Sequence, residues 1–546
     1  MRSWRVVVVG AWLFGAAIAD AQRPPDPFAG HSYEPGIDVV DYDISLDLPD
    51  SGTTIRGDVT ISVRRAPNVG TLRLDLVHAL TVRRVEVNGS AVRATRTGDA
   101  IEVPLPGPAD SARVRVLYDG AVTDGLIVRK DARGRWTWFG DNWPDRARQW
   151  LPTVDHPSDK ATVAWTVRAP ASRTVVANGT LLGVRRLAGR DAGRAETRWR
   201  ESHPVPTYVM VIGAGPLVKV DLPTTGCERA GQASCVAQAV YVMPENRDWM
   251  PGPFAAAAPI VALFERLVGP FPYEKLAHLQ SETRFGGMEN ASAIFYASNL
   301  FPTHRMTEGL IAHETAHQWF GDAVTEREWG HLWLSEGFAT YFAALWTRES
   351  RGDSAYRAEL AAIRRQVLAD SVVRVRPVLD SAQTDYLALL NANSYQKGGY
   401  VLAMLHRQLG DSAFFGGLQS YYATHRDGNA LTDDLRHALE ASSGRSLATF
   451  FDQWLRRPGV PALTVGWAYH PVDSTVTILV LQDSTQASYE LPLTVAVTDA
   501  SGQRRLEVSV PAADRTEVAL PGRFAAKPVS IVFDPDTFLL AHIARP

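Results

Sequence analysis

Two histidines four residues apart constrain the fold of this 546-residue chain more than any other feature: His313 and His317, in IAHETAHQWFGDAVTEREWGHLWLSEGFATY. Glu314 follows the first, and Glu336 comes after eighteen intervening residues. Residues four apart share a helix face, so on a helix both imidazoles can reach one metal ion. The pattern predicts a helix over 307–320, with Thr307 as N-cap and Gly321 at its end. A second helix over 331–349 then packs against it and presents Glu336. Leu310, Ile311, Trp319 and Phe320 make the first helix a buried one, where two imidazoles and a carboxylate are costly without a compensating cation.

Three protein ligands leave a fourth position for water, the arrangement of a catalytic rather than a structural zinc. Glu314 is placed to accept a proton from that water and not to coordinate the metal. Glu326, Glu328 and His331 are rival donors, but they fall in the polar turn between the helices and read as solvated surface. Asp322 is a candidate acceptor behind a ligating histidine.

Strand signals flank the helical region. Val40, Tyr42, Ile44, Leu46 and Leu48 alternate with Asp41, Asp43, Ser45 and Asp47, and further alternation runs to about Leu222, with a hairpin turn at Asn88-Gly89. Helices dominate from about Met250 to Leu455, including 254–268 and 395–408, with one short strand-like stretch at 285–296. Alternation returns at Leu463–Tyr469, Val476–Val480 and Leu491–Val497. The expected organisation is a segment 1–21, an N-terminal antiparallel β domain over 22–225, a mostly α-helical catalytic domain over 226–457 and a C-terminal β-sandwich over 458–546.

Arg2 and Arg5, an apolar run from Val6 to Ile18 and then Ala19-Asp20-Ala21 read as a cleavable signal peptide, which implies a secreted or periplasmic protein. The run is shorter than the roughly 20 residues a bilayer core requires, and no later segment is long enough to span. A net charge of −3 gives no reason to expect nucleic acid as a partner. With export, Cys227 and Cys235 are expected to form a local disulfide.

Together these residues resemble the zinc aminopeptidases that include aminopeptidase N and leukotriene hydrolase. HETAHQWFGDAVT followed by WLSEGFATY is similar to that family's metal signature, and Gly286-Gly287-Met288-Glu289-Asn290 to its GxMEN motif. The resemblance implies a thermolysin-like catalytic domain, one zinc ion on His313, His317 and Glu336, and Glu314 as general base. It implies that the 286–290 segment binds peptide backbone, with Glu289 holding the substrate's free amine. Ser394-Tyr395-Gln396-Lys397-Gly398 is similar to the YxKG segment, which makes Tyr395 the donor to the oxyanion.

Arg148 to Ala161 resembles the RxxxPxxDxPxxK stretch of the N-terminal domain, a structural element. Five residues before that arginine the family carries Gln or Glu, whereas this chain has Trp143. The family's large helical C-terminal domain is absent from these residues, so a more open cleft or one closed by oligomerisation is expected; the oligomeric state stays open. The expected activity is removal of N-terminal residues from short peptides. The alternatives are a thermolysin-type endopeptidase and a non-catalytic peptide-binding relative.

Overall fold

A computed structural model describes residues 33–225, 235–250 and 252–545. The expected signal peptide lies outside these residues, as does Cys227 and with it the expected disulfide to Cys235.

Alternating residues build an eight-stranded sheet whose centre is formed by Lys160–Pro170, Ile37–Asp47, Thr54–Arg65 and Ser111–Ala121. The sheet is antiparallel except where Ile37–Asp47 runs parallel to Lys160–Pro170. One detail departs from simple alternation. Val39 is buried and Val40 is not, because a bulge at Val40 shifts the register against Val63 and Ser62. The hairpin at Asn88-Gly89 has positive φ at both residues (51° and 81°), the type I′ geometry that this dipeptide favours.

The region from Met250 onward is less purely helical than its sequence suggests. A five-stranded sheet lies beside the helices, with Val236–Val242, Lys275–Ser281 and Ala293–Ala297 parallel and Gly287–Met288 antiparallel at one edge. Lys275–Ser281 escapes a periodicity search because nearly every residue in it is buried, as expected of a strand flanked by parallel neighbours. At the other edge Val218–Thr225 pairs with Val236–Val242. By pairing it belongs with this sheet, although the sequence boundary at 225 assigns it to the first domain.

Four helices frame the site: α1 (Ala257–Leu267), α2 (Glu308–His317), α3 (Trp333–Arg351) and α4 (Asp353–Ala369). Thr307 caps α2, its hydroxyl accepting from the Leu310 N–H at 3.2 Å. The indole of Trp346 donates to Glu308 at 3.1 Å, so the start of α2 lies beside the far half of α3 and the two helices run antiparallel. A π-turn over Asn393–Lys397 leads into the long helix Gly398–His425. Four- and three-stranded sheets complete the C-terminal part. Among the described residues no helix is long and apolar enough to cross a membrane.

The N-terminal domain holds the end of α2 in place. Lys160 Nζ is buried and donates to the carbonyls of Asp322 (2.9 Å), Ala323 (2.8 Å) and Gly428 (3.1 Å), while the Tyr208 hydroxyl donates to Gly321 O at 3.0 Å. The carbonyls of Gly321, Asp322 and Ala323 follow the C-terminus of α2, where a cation interacts favourably with the helix dipole, and Gly428 comes from the strand paired beside them.

His278, in Lys275–Ser281, is fully buried and packs against Phe254 and Tyr296. Burial lowers its pKa to about 3. The fold therefore favours neutral imidazole; that contribution is complete above the unfolded pKa near 6.5 and is lost as pH falls toward 3. Between about pH 6.5 and pH 5 this one group is expected to cost the wild type about 2 kcal/mol more than His278→Gln. Unfolding free energies of both proteins at the two pH values check this, and equal pH slopes would contradict it.

Candidate metal centre and active site

His313 and His317 leave α2 on one face and meet Glu336 from the first turn of α3. The two Nε2 atoms lie 3.2 Å apart, and Glu336 Oε2 is 3.3 Å from one and 3.4 Å from the other. This triangle matches a tetrahedral zinc, for which ligand bonds of about 2.0–2.1 Å put neighbouring donor atoms about 3.3–3.4 Å apart. Glu336 Oε2 is buried and has no hydrogen-bond partner, an unmet demand that a metal satisfies.

The tautomer of His317 can be followed through its neighbours. The Ser335 hydroxyl donates to Phe320 O at 3.3 Å and faces His317 Nδ1 at 2.9 Å. With its proton so used, Ser335 accepts from Nδ1–H and leaves the Nε2 lone pair directed into the triangle. Asp322, expected as an acceptor here, is engaged elsewhere: Gln318 Nε2 donates to it at 2.8 Å.

The surrounding charge calls for a cation. Burial opposes a proton on His317, yet the carboxylates of Glu289, Glu336 and Glu314 outweigh it and raise its pKa well above that of free imidazole. Glu314 is pushed well above the carboxylate range, first by burial and then by Glu289 and Glu336. Burial, followed by Glu336, moves Glu289 up to about 7 against the pull of His317. All three carboxylates are at most 6% exposed.

The glycine-rich segment runs alongside α2. Gln318 ties the two together: its Nε2 donates to Glu289 O at 2.8 Å and its Oε1 accepts from Ser292 N at 2.8 Å. Gly287 has a specific reason to be glycine, since a Cβ there would come within 2.0 Å of Glu314 Oε1. Gly286 has open space around it. Gly286, Gly287, Met288 and Glu289 line a cleft of about 550 Å³ with His313, Glu314, His317, Glu336 and Tyr395. Asn290 is wholly buried and does not line the cleft.

Tyr395 reaches the site from the π-turn, and its hydroxyl donates to Glu336 Oε1 at 2.6 Å. Burial and then Glu336 raise its pKa well above 10, so it remains a donor at neutral pH. Trp143 is in the cleft wall, edge-to-face with Phe285 and Trp329.

Two rival donors differ from their expected surface placement. Glu326 is 1% exposed, carried inward by a short strand, Val324–Glu326, paired with Gly428–Ala430; burial keeps its pKa well above the usual range. His331 is also buried, and its Nδ1 accepts from Thr432 N at 3.1 Å. Glu328 is exposed as expected. None of the three shares the metal triangle. Lys160, Gln318 and Ser335 are contributors that sequence reasoning missed as parts of the site, although each falls inside a recognisable motif.

Two domain models match the chain: the Peptidase family M1 domain over residues 256–454 and the Peptidase M1 N-terminal domain over 39–209. Aminopeptidase N of Streptomyces lividans is 30% identical over 459 residues, which are 77% of this chain and 50% of that protein. The chain spans about half the length of the curated relatives it matches. The crystal structure of an M1 zinc metallopeptidase from Deinococcus radiodurans superposes with a TM-score of 0.68 at 28% identity, covering 78% of this chain and 95% of that one. Aminopeptidase A of Legionella pneumophila shares the fold at 18% identity, with a TM-score of 0.79 over 93% of this chain and 59% of that one.

Ser335→Ala is expected to weaken zinc binding by about tenfold, because His317 Nδ1 loses the nearer of its two acceptors and keeps only Phe320 O at 3.2 Å. Competition with a chromogenic chelator measures this; unchanged affinity would show that Ser335 does not orient the ligand.

Proposed function

Because the chain belongs to peptidase family M1, we propose that it is a zinc-dependent aminopeptidase that removes single N-terminal residues from short peptides. The observation that carries the reading is the buried carboxylate of Glu289, beside the metal triangle at the C-terminal end of α2. One oxygen of Glu289, one of Glu314 and a His317 ring nitrogen lie within 4.8 Å of one another. A substrate ammonium paired with Glu289 fixes the carbonyl of that same first residue at the metal triangle, which restricts cleavage to the first peptide bond.

His313, His317 and Glu336 would hold one zinc ion, whose chemistry is to polarise the scissile carbonyl and to lower the pKa of water to about 7. The remaining work falls to side chains. Glu289 binds the ammonium, and the cleft edge at Gly287–Met288 offers backbone groups to an extended peptide as an added strand. Glu314 takes the proton of the attacking water and can pass it to the departing amine. Tyr395 turns its hydroxyl from Glu336 toward the oxygen on which charge develops; as a neutral donor it stabilises that charge without needing a counter-ion. The order of basic, apolar and small residues over 2–21 supports export to a secreted or periplasmic location.

A panel of aminoacyl fluorogenic amides tests the reading. Glu314→Gln should lose about a thousandfold or more in kcat while retaining zinc, since it removes the base and leaves the ligands. The matching N-acetylated amides should not be hydrolysed. Hydrolysis of blocked and free substrates at equal rates, or full activity in Glu314→Gln, would refute the assignment.

A further inference from the structure

The cleft has a direction. Glu289 lies by the C-terminal end of α2, through Gln318, and the metal triangle lies in the middle at His313, His317 and Glu336. Continuing away from Glu289 leads to Leu310, one turn before His313, and to Thr340 and Ala343, one and two turns beyond Glu336. The antiparallel packing of α2 and α3, fixed by the Trp346–Glu308 hydrogen bond, puts these residues at the same end. There α4 completes the wall with Glu359 and Ile363, which are four apart and so on one face.

Glu359 is half-buried, and among the described residues no hydrogen bond or ion pair engages its carboxylate. Among the described residues the cleft is lined by four carboxylates, those of Glu289, Glu314, Glu336 and Glu359, and by no lysine or arginine. A zinc ion offsets two of these charges and a substrate ammonium a third. One negative charge remains at the end that receives the leaving part of the peptide.

We propose that Glu359 makes this cleft selective for peptides with a cationic side chain, lysine or arginine, on the residue that follows the scissile bond. The inference rests on the aminopeptidase reading, because that reading places the amine at Glu289 and thereby orients the peptide. Its physical basis is the attraction between a partly desolvated carboxylate and an ammonium or guanidinium group, with repulsion of an acidic side chain at the same place.

The test compares kcat/KM for the amidated tripeptides Leu-Lys-Ala, Leu-Gln-Ala and Leu-Glu-Ala with zinc-loaded wild type, Glu359→Gln and Glu359→Lys. For wild type the order is lysine over glutamine over glutamate, with lysine favoured over glutamate by about tenfold, mostly in KM and shrinking as salt is raised. Glu359→Gln brings the lysine-to-glutamate ratio close to one, and Glu359→Lys inverts it. A substitution that merely loosened α4 would slow all three peptides and leave the ratio in place. Cleavage of all three at similar rates by wild type, or a ratio unmoved in Glu359→Gln, overturns the inference and leaves the aminopeptidase reading intact. If wild type cleaves none of them, the aminopeptidase reading fails and the inference falls with it.

Discussion

Negative charge withdrawn from water is the constraint on which the centre of this molecule depends. Glu289, Glu314 and Glu336 are held almost out of solvent around His313 and His317, and among the described residues no lysine or arginine lines the cleft to balance them. Isolated carboxylates cannot be buried in this way without protonating or acquiring a counter-charge. The raised pKa of His317 and the raised pKa values of Glu314 and Glu289 describe the same deficit from both sides. A divalent ion at the triangle would offset two of these three charges, relieving His317 of the need to carry a proton and favouring the ionised form of Glu314.

The scaffold meets this demand by keeping its own cations out of the cleft. Lys160 is one example: its ammonium faces the carbonyls of Asp322 and Ala323, just past α2, and of Gly428, and burial lowers its pKa to about 7. It fixes the end of the helix that carries both histidines without competing for their carboxylates. Gln318 does the corresponding work for the glycine-rich edge, and the missing Cβ of Gly287 lets Glu314 lie against that edge. A neutral amide and a glycine are suited to these positions because a charged group would change the balance that the metal sets.

The legibility of the sequence followed the same physics. The meeting of His313, His317 and Glu336 was readable because its geometry is local: two residues four apart on one helix, and a third on the next. The N-terminal and C-terminal sheets were readable because half their residues face water and so alternate. Lys275–Ser281 was not, since a strand buried on both faces has no polar side to mark it. Glu326 and His331 were read as surface from composition, but pairing with Gly428–Ala430 and a hydrogen bond from Thr432, both about a hundred residues away in sequence, carry them inside. Ser335 and Gln318 gave no signal beyond their proximity to Glu336 and His317, because their roles exist only once two segments have been brought together.

Trp143 shows how one exchange redistributes the work of binding. The resemblance leads one to expect a glutamine or glutamate there, offering a second polar contact to the substrate amine. In its place stands an indole 3% exposed, wedged edge-to-face between Phe285 and Trp329 and forming part of the cleft wall. Aromatic rings packed in this way have no room to rotate and no acceptor to offer. In the proposed binding mode the ammonium therefore depends on Glu289, whose own ionisation depends on the cation in the triangle a few ångströms away. Amine recognition and metal binding become coupled through charge: removing the metal weakens the grip on the substrate's amino terminus as well as the chemistry at its carbonyl. A polar residue at position 143 would partly decouple the two, because it would hold the amine whether or not Glu289 was ionised.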